Sequence, residues 1–251
     1  MKVLVLGGTI DGRVLAQTLS EHAISVTYSV AGLVRVPDIA CDVISGGFTQ
    51  YGGLSAFIKA NHIQAILDAT HPYAELISTK AINAARECGI ACWRFYREPW
   101  QPQAKDQWRF IDTWDDAFAL LAHKRSVFIA AGQMTQSWFD TLSTQSFASA
   151  QQYILRTAKK PEAVLPSTML WVEGIGPFSY ESERDLFERY RVECLLTKNS
   201  GGDAVAAKLQ VARELNIPVL MLNRPVLPQA DMIFTTYSQC TDYILGIAHA
   251  G

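Results

Sequence analysis

Short apolar runs alternate with amphipathic helical patterns along almost the whole chain, and this alternation constrains the fold most. In the amino-terminal part, strand-like runs lie near residues 2–6, 24–29, 42–44, 63–68 and 90–95, with helical patterns at about 11–20, 53–61 and 74–88. Later runs lie near residues 126–131, 152–156, 168–173, 192–196 and 218–222, with helical patterns at about 114–122, 134–142, 180–189, 203–214 and 237–247. Such alternation predicts parallel sheets with helices on their faces.

The two series are separated by residues 98–103, where two prolines occur within four positions. Proline ends helices and is confined to the edges of sheets, so we expect a domain boundary here. A chain of 251 residues is long enough for two small domains. We therefore predict an α/β fold of two Rossmann-like, doubly wound parallel-sheet domains with a cleft between them, at residues 1–100 and 101–251.

The composition excludes several classes of partner. The net charge is −2, so no strongly basic surface is expected for nucleic acid or for an anionic membrane. No run approaches the ~18 apolar residues of a membrane span, and the amino terminus begins a strand instead of a signal peptide. The five cysteines lack metal-site spacing and fit reduced thiols. We expect a cytoplasmic protein, a monomer or weak dimer, with no metal, nucleic-acid or membrane partner.

A glycine-rich turn follows the first strand and opens the first helix. Gly7 and Gly12 keep the outer glycines of the dinucleotide fingerprint G-x-G-x-x-G, while Thr9 stands at its middle glycine. Such a turn lets backbone approach a pyrophosphate, whose charge is favoured at the helix amino end. The Thr9 hydroxyl can add a hydrogen bond to a phosphate oxygen. Gly7, Gly8 and Thr9 are thus candidate cofactor residues, although a plain strand-to-helix turn uses the same glycines.

The end of the second predicted strand favours NADPH over NADH. No acidic residue occurs between residues 23 and 37, where NAD-binding folds usually place the carboxylate that holds the ribose 2′-hydroxyl. Ser29 and Arg35 lie in this segment instead, and a hydroxyl with a guanidinium suits a 2′-phosphate. Gly46 and Gly47 follow the third strand and can bring backbone against the pyrophosphate or a flat ligand. A mobile loop is the alternative interpretation of those glycines.

The segment 68–74 ends the fourth strand and opens a helix. Pro72 suits the first helical turn, where its missing N–H is not needed. Thr70 and His71 are therefore expected at the carboxyl edge of the sheet, where a nicotinamide ribose would pass. Histidine ordinarily titrates near neutrality, so His71 is a candidate proton donor, while a hydrogen bond that holds the loop is the other interpretation.

The turn at residues 198–202 lies between a strand and an amphipathic helix. Two glycines suffice to bend the chain, so the charged and polar side chains of Lys198, Asn199 and Ser200 indicate an anionic ligand. Lys198 and Ser200 are candidate catalytic residues. The candidates for binding a polycarboxylate substrate and its ring system are Arg94, Arg97, Arg156, Phe178, Asn199, Gly201 and Arg224. Solvated charges and simple packing are the alternatives for these residues.

A series of short motifs extends over most of the chain. They are GGTIDGR at 7–13, SVAG at 29–32, GGF at 46–48, DATHPYA at 68–74, GPF at 176–178, TKNSGG at 197–202, AKL at 207–209 and NRP at 223–225. In this order they resemble the precorrin-6A reductase and cobalt-precorrin-6A reductase family of cobalamin biosynthesis. The chain departs from the family pattern at 130–135, where AAGQMT replaces a more threonine-rich turn.

The resemblance implies the reduction of one ring double bond of precorrin-6A, giving precorrin-6B. A nicotinamide cofactor would supply the hydride, and a proton would be added to the neighbouring carbon. Some family members act on the cobalt-containing macrocycle instead. Both tetrapyrrole substrates carry many acetate and propionate arms, which a basic rim would bind. Residues 1–100 would then form an NADPH-binding domain and residues 101–251 a tetrapyrrole-binding domain.

Two other functions remain open from the sequence. A short-chain-type reductase or epimerase typically needs a Tyr-x-x-x-Lys pair, and no tyrosine here has a lysine four positions later. A non-catalytic NAD(P)-sensing module would use the first domain but leave the second one unexplained. No nucleophile elbow, P-loop or kinase motif occurs, which favours chemistry carried by a bound cofactor.

Overall fold

The computed structural model describes residues 1–32, 39–149 and 151–250. The strands are β1 (Lys2–Leu6), β2 (Ser25–Val30), β3 (Asp42–Ser45), β4 (Ala65–Asp68), β5 (Ala91–Phe95), β6 (Trp108–Ile111), β7 (Ser126–Ala130), β8 (Gln152–Thr157), β9 (Met169–Glu173), β10 (Cys194–Lys198), β11 (Val219–Leu222) and β12 (Met232–Phe234). The helices are α1 (Ile10–Glu21), α2 (Leu54–Ala60), α3 (Glu75–Cys88), α4 (Asp115–Leu121), α5 (Gln136–Ser149), α6 (Tyr180–Arg189), α7 (Ala207–Glu214) and α8 (Tyr237–Ala250). Among these described helices, none is long and apolar enough to cross a membrane.

The chain forms two compact units. Unit 1 contains Met1–Glu98 together with Pro225–Gly251, and unit 2 contains Pro99–Arg224. The predicted division into residues 1–100 and 101–251 is therefore corrected at its carboxyl-terminal end. The reason is strand pairing, because β12 runs parallel to β5 at the edge of the first sheet and α8 packs on α1.

Both units contain a six-stranded parallel sheet, and five strands of each sheet share one order. In unit 1 the order is β3-β2-β1-β4-β5-β12, and in unit 2 it is β9-β8-β7-β10-β11-β6. In each sheet five successive strands, β1 to β5 or β7 to β11, follow the 3-2-1-4-5 order of doubly wound dinucleotide-binding sheets, in which ligands bind where the order reverses. The sixth, edge strand is the last strand of the chain in unit 1 (β12) but the first strand of its unit in unit 2 (β6). These switch points lie between β1 and β4 and between β7 and β10. The predicted α/β, doubly wound fold is confirmed.

The central strand of unit 1 is buried on both faces. Val3 and Val5 pack in one cluster with Tyr28 and the helices α1 and α8, while Leu4 and Leu6 pack with α2 and α3 in another. None of the four β1 side chains is more than 2% exposed, as is typical of parallel sheets covered by helices. Each such side chain contributes about 1.5–3 kcal/mol by burial, so β1 supports its carboxyl-end turn rigidly.

The core of unit 2 is built in the same way. Phe128 of β7 and Leu195 of β10 pack against Phe187 of α6 and Leu209 of α7. The rings of Phe128 and Phe187 meet edge to face, with centroids 5.5 Å apart. These contacts fix α6 and α7 on one face of the sheet, and both helices begin near turns that carry predicted site residues.

Candidate active site

The turn after β1 is shaped by Tyr28 of the neighbouring strand. A Cβ atom on Gly7 would lie 2.2 Å from the Tyr28 ring, so only glycine fits beside it. Gly8 has φ +101°, a conformation that strongly favours glycine, and a Cβ there would meet no atom within 4 Å. The Gly8 N–H donates to the Tyr28 hydroxyl at 3.0 Å. Packing therefore explains Gly7, whereas Gly8 combines a backbone conformation that favours glycine with open space.

Thr9 is the N-cap of α1. Its hydroxyl accepts a hydrogen bond from the Gly12 N–H at 3.0 Å and so caps α1. The single hydroxyl proton is donated to the Ala69 carbonyl at 2.8 Å. This proton joins the ends of β1 and β4, and a hydrogen bond between Thr9 and a phosphate oxygen stays a prediction. Any anion at this turn is favoured by the amino end of α1.

Asp11, in the first turn of α1, was missed by the sequence reasoning. Its carboxylate pairs with Arg97, with Nε 2.6 Å from Oδ2, and accepts a hydrogen bond of 2.5 Å from the Tyr237 hydroxyl. Tyr237 stacks on Phe95, with ring centroids 5.2 Å apart. Burial, followed by the bond to Asp11, raises the pKa of Tyr237 to about 12. Arg97 thus compensates the charge of Asp11 beside the glycine turn.

The carboxyl end of β4 holds a buried ion pair. Asp68 accepts hydrogen bonds from Arg94 Nε at 3.1 Å and from the Thr70 hydroxyl at 2.6 Å. Arg94 also donates to the Pro228 carbonyl at 2.8 Å and is only 4% exposed. Arg94 therefore ties the carboxyl-terminal segment to β4, and its contact with a substrate stays a prediction. The Thr70 hydroxyl is likewise committed to Asp68.

His71 lies half-buried in the loop between β4 and α3. Its Nδ1 faces the Tyr73 N–H at 3.4 Å, and its carbonyl accepts a hydrogen bond of 2.8 Å from the Ala74 N–H. The His71 and Tyr73 rings lie 5.6 Å apart. These contacts agree with the loop-holding interpretation. They also leave the proton of a neutral ring on Nε2, because Nδ1 faces a donor.

The residues predicted to hold a 2′-phosphate are Ser29 and Arg35. Ser29 lies inside β2 and is 5% exposed, and its carbonyl accepts a hydrogen bond from the Gly7 N–H at 2.8 Å. Such burial argues against a contact between the Ser29 side chain and a phosphate. Arg35 lies outside the described residues. Gly46 has φ +90° and donates to the Val30 carbonyl at 3.0 Å, and Gly47 precedes a short 3-10 helix, so both shape the turn beside the end of β2.

In unit 2 the turn after β10 is fixed by the Trp100 segment. The Asn199 side chain accepts from the Trp100 N–H at 2.8 Å and donates to the Trp100 carbonyl at 3.1 Å. The indole of Trp100 donates to the Gly202 carbonyl at 3.0 Å, and Arg224 Nε donates to the Asn199 carbonyl at 2.7 Å. Asn199 and the Arg224 Nε thus hold the turn, and Gly201 (φ +67°) lets it bend. The substrate contacts predicted for these residues stay a prediction.

Lys198 and Ser200 lie at the unit 2 switch point. The Thr197 hydroxyl donates to the Ala130 carbonyl at 3.1 Å, which joins the ends of β10 and β7. Lys198 follows directly, half-buried, with Nζ 5.8 Å from the centre of the Trp114 ring. Burial lowers the pKa of Lys198 below its ordinary value. The structure therefore places a cation and a hydroxyl where doubly wound sheets bind their ligands.

Arg156 and Phe178 are bound to each other. The Arg156 guanidinium lies 3.6 Å from the centre of the Phe178 ring and 2.7 Å from Oε1 of Glu183. Arg156 is 8% exposed and Glu183 is fully buried. Neither carboxylate oxygen of Glu183 meets hydrogen-bond geometry within the described part of the chain, so charge attraction holds this pair. Arg156 and Phe178 thus pack internally, and their contacts with a substrate stay a prediction.

Two doubly wound sheets with polar turns at their switch points define a Rossmann-like α/β protein. A family model described as precorrin-6x reductase CbiJ/CobK matches residues 2–244, and the chain belongs to that family. The family predicted from the sequence motifs is therefore confirmed.

Relatives and a solved structure agree with this assignment. Precorrin-6A reductase from Rhodococcus erythropolis is 35% identical over 91% of this chain and 91% of its own length. The enzyme of that name from Rhodobacter capsulatus is 33% identical over 93% and 92%. A solved structure titled CobK precorrin-6A reductase superposes with a TM-score of 0.86 at 31% identity, covering 98% of this chain and 96% of that one.

The unit 1 switch point fits the nicotinamide dinucleotide that such a reductase requires. The open space at Gly8 permits close approach to the backbone, and the amino end of the twelve-residue α1 favours a pyrophosphate. Asp11 would oppose an anion there, but its pairing with Arg97 offsets that charge. Among the described residues, no group of three or more His, Cys, Asp or Glu is arranged to hold a metal ion.

Proposed function

We propose that this protein reduces one ring double bond of precorrin-6A to give precorrin-6B, with a nicotinamide dinucleotide as the hydride donor. The family match over residues 2–244 carries this proposal. Relatives named precorrin-6A reductase are 31–35% identical to the chain, whereas those named cobalt-precorrin-6A reductase are 26–28% identical. The difference favours the cobalt-free macrocycle as substrate.

Unit 1 would hold the cofactor, which supplies the hydride when bound. The backbone of Gly7 and Gly8 and the amino end of α1 would bind the pyrophosphate. The loop that carries Thr70 and His71 would lie beside the ribose and nicotinamide. The proton on Nε2 of His71 would be one source of the proton that is added to the carbon next to the one that receives the hydride. NADPH is proposed over NADH because residues 23–37 contain no acidic side chain to repel a 2′-phosphate.

Unit 2 would bind the tetrapyrrole. Lys198 and Ser200 lie at the switch point, where they would contact carboxylate arms or the reacting ring. A partly desolvated ammonium group attracts carboxylates more strongly than a solvated one, because the local dielectric is lower. It would also stabilise negative charge that develops on the ring as the hydride is added. Positioning of donor and acceptor supplies the larger share of the rate enhancement.

We further propose a cytoplasmic location and a monomer or weak dimer. All five cysteines are free thiols, and burial raises the pKa values of Cys92, Cys194 and Cys240 to about 12. Such thiols are unreactive as nucleophiles, which fits structural cysteines in a reducing compartment.

The experiment is an anaerobic assay with enzymatically prepared precorrin-6A, in which NADPH or NADH oxidation and the tetrapyrrole spectrum are followed together. We expect stoichiometric oxidation of NADPH, with NADH slower. Turnover with cobalt-precorrin-6A but not with precorrin-6A would show that the substrate is the cobalt-containing macrocycle. Cofactor binding without turnover of either macrocycle would instead favour the NAD(P)-sensing function.

Lys198→Ala tests the proposal that unit 1 binds the cofactor and unit 2 binds the tetrapyrrole. Removal of the ammonium group is expected to lower kcat/KM for precorrin-6A by about tenfold or more, since a charged contact of ~1.5–3 kcal/mol is lost. The dissociation constant for NADPH, measured by fluorescence titration, should stay within about twofold of wild type because unit 1 is unchanged. Loss of NADPH binding in this variant would contradict the assignment of the cofactor to unit 1.

A further inference from the structure

A buried lysine lies beside the turn that carries Lys198 and Ser200. Lys208, in the first turn of α7, is only 3% exposed. Its Nζ donates a hydrogen bond of 2.6 Å to the Val205 carbonyl and lies 4.8 Å from the centre of the Trp100 ring. The sequence reasoning gave this lysine no role, because a lysine on an amphipathic helix is usually solvated.

The position of Lys208 is unfavourable for a cation. Burial lowers the pKa of its ammonium group to about 7, the charge of Arg156 disfavours it further, and Glu183 offsets only part of these effects. The amino end of a helix also disfavours positive charge. An apolar side chain of similar volume would normally stabilise such a site at least as well. The contacts of Lys208 therefore point to a function other than stability.

The first contact connects Lys208 to the turn at residues 198–202 through Trp100. The Lys208 ammonium lies over the indole ring, and that indole donates its N–H to the Gly202 carbonyl at 3.0 Å. The Trp100 backbone forms the paired hydrogen bonds with the Asn199 side chain. A shift of the indole would therefore move both ends of the turn between Asn199 and Gly202.

The second contact fixes the segment that joins this turn to α7. Lys208 binds the Val205 carbonyl, and the preceding Ala204 carbonyl accepts a hydrogen bond of 3.1 Å from the Phe178 N–H. A Cβ atom on Gly176 would lie 3.2 Å from a Val205 methyl group, so the two loops are closely packed. Lys208 thus restrains the turn at residues 198–202 from its carboxyl-terminal side, where the chain continues into α7.

We propose that Lys208 is a positioning residue for the reduction. Through Trp100 and Val205 it holds the turn at residues 198–202 in the geometry that presents Lys198 and Ser200 to the tetrapyrrole. Lys208 does not itself touch the substrate. This inference rests on the proposed function for its kinetic consequences, but the restraint on the turn can be measured without any substrate.

Lys208→Met tests the proposal, because methionine keeps a long apolar stem and removes the hydrogen bond and the charge. We expect kcat/KM for precorrin-6A to fall by about ten- to a hundredfold, since small misplacements of a reacting group have effects of that size. The dissociation constant for NADPH should not change. The midpoint of thermal unfolding should be equal to that of wild type or higher, because a buried charge is removed. A loss of activity that only parallels a loss of stability would overturn the proposal.

The matched control is Lys80→Met on the exposed surface of α3. It makes the same chemical change without burial, and we expect wild-type kinetics. Trp100→Leu supplies the second test, because it removes the ring through which Lys208 is proposed to act. The double variant should then be little worse than the more impaired single variant. Effects that multiply would mean that the two residues act independently and would overturn the proposed route.

Amide hydrogen exchange separates this proposal from the proposed function. Peptides that cover residues 198–206 should exchange faster in Lys208→Met than in wild type or Lys80→Met, with or without an active substrate. If the wild-type protein reduces neither macrocycle, the proposed function is wrong. The exchange result still shows whether Lys208 restrains the turn at residues 198–202. Unchanged exchange, or faster exchange with wild-type kcat/KM on a substrate that is turned over, overturns the positioning role.

Discussion

At the scale of single residues, Gly7 shows how packing dictates the glycine turn. A Cβ atom would lie 2.2 Å from two ring carbons of Tyr28, and this ring is held by burial and by its hydrogen bond to Gly8. We expect Gly7→Ala to lower the free energy of unfolding by about 1–3 kcal/mol, as overpacking does in other cores. The turn must also move, so NADPH binding should weaken. Urea unfolding and a fluorescence titration measure the two effects.

Gly246 offers the matched control for that substitution. It lies within α8, and a Cβ atom there would meet nothing within 4 Å. Gly246→Ala should therefore stabilise the helix by about 0.5–1 kcal/mol, because alanine loses less backbone entropy on folding. If Gly7→Ala proved as stable as Gly246→Ala and bound NADPH normally, the close contact with Tyr28 would not constrain the turn.

The positions of turns rich in glycine and polar residues can be predicted from the sequence more reliably than the partners of individual side chains. The turns at Gly7 and Lys198 could be predicted, because glycines and polar residues directly follow strands. Arg94 and Arg156 were instead expected at a substrate, since charged residues are usually exposed. Their partners Asp68 and Glu183 are 26 and 27 positions away, and only the folded sheet brings each pair together.

At the scale of elements, alternation predicts the five successive strands in each unit but not the sixth. The strand β12 is three residues long, with Met232 and Ile233 at 40% and 50% exposure, and β6 has Phe110 at 44%. Short, half-exposed edge strands have neither the length nor the buried alternation that identifies a strand. Because β12 completes the sheet of unit 1, the domain boundary could not be placed correctly without it.

The carboxyl-terminal helix α8 provides a test of this arrangement. Ile244 is fully buried in the core cluster that includes Val3, Leu15 and Phe234, whereas Ile247 on the same helix is 40% exposed. Ile244→Ala should lower the free energy of unfolding by about 2–5 kcal/mol, as buried truncations do. Ile247→Ala should have a much smaller effect. Equal effects in urea unfolding would contradict the packing of α8 into unit 1.

At the scale of the whole molecule, burial shifts the pKa values of lysines and of cysteines. The two sets of shifts change the free energy of unfolding with pH in opposite directions. Folding lowers the pKa of Lys208 from 10.5 to about 7, and that of Lys198 in the same direction. Above pH ~7 the unfolded chain therefore holds protons that the folded lysines release, so stability rises with pH. Above pH ~9 the unfolded chain loses thiol protons that the folded state keeps, so stability then falls. The groups responsible for this fall are Cys92, Cys194 and Cys240.

We therefore expect the free energy of unfolding to rise between about pH 7 and 9 and to decline above it. One lysine that releases its proton on folding contributes at most about 1.4 kcal/mol per pH unit. Lys208→Met should make the rise shallower and leave the decline, while Lys80→Met should keep both. Guanidinium unfolding at constant ionic strength, with a reductant present, measures the curves. Near Lys208 the facing charges are Glu183 and Arg156, so a Lys208→Met curve as steep as wild type would mean that their field keeps Lys208 charged after all.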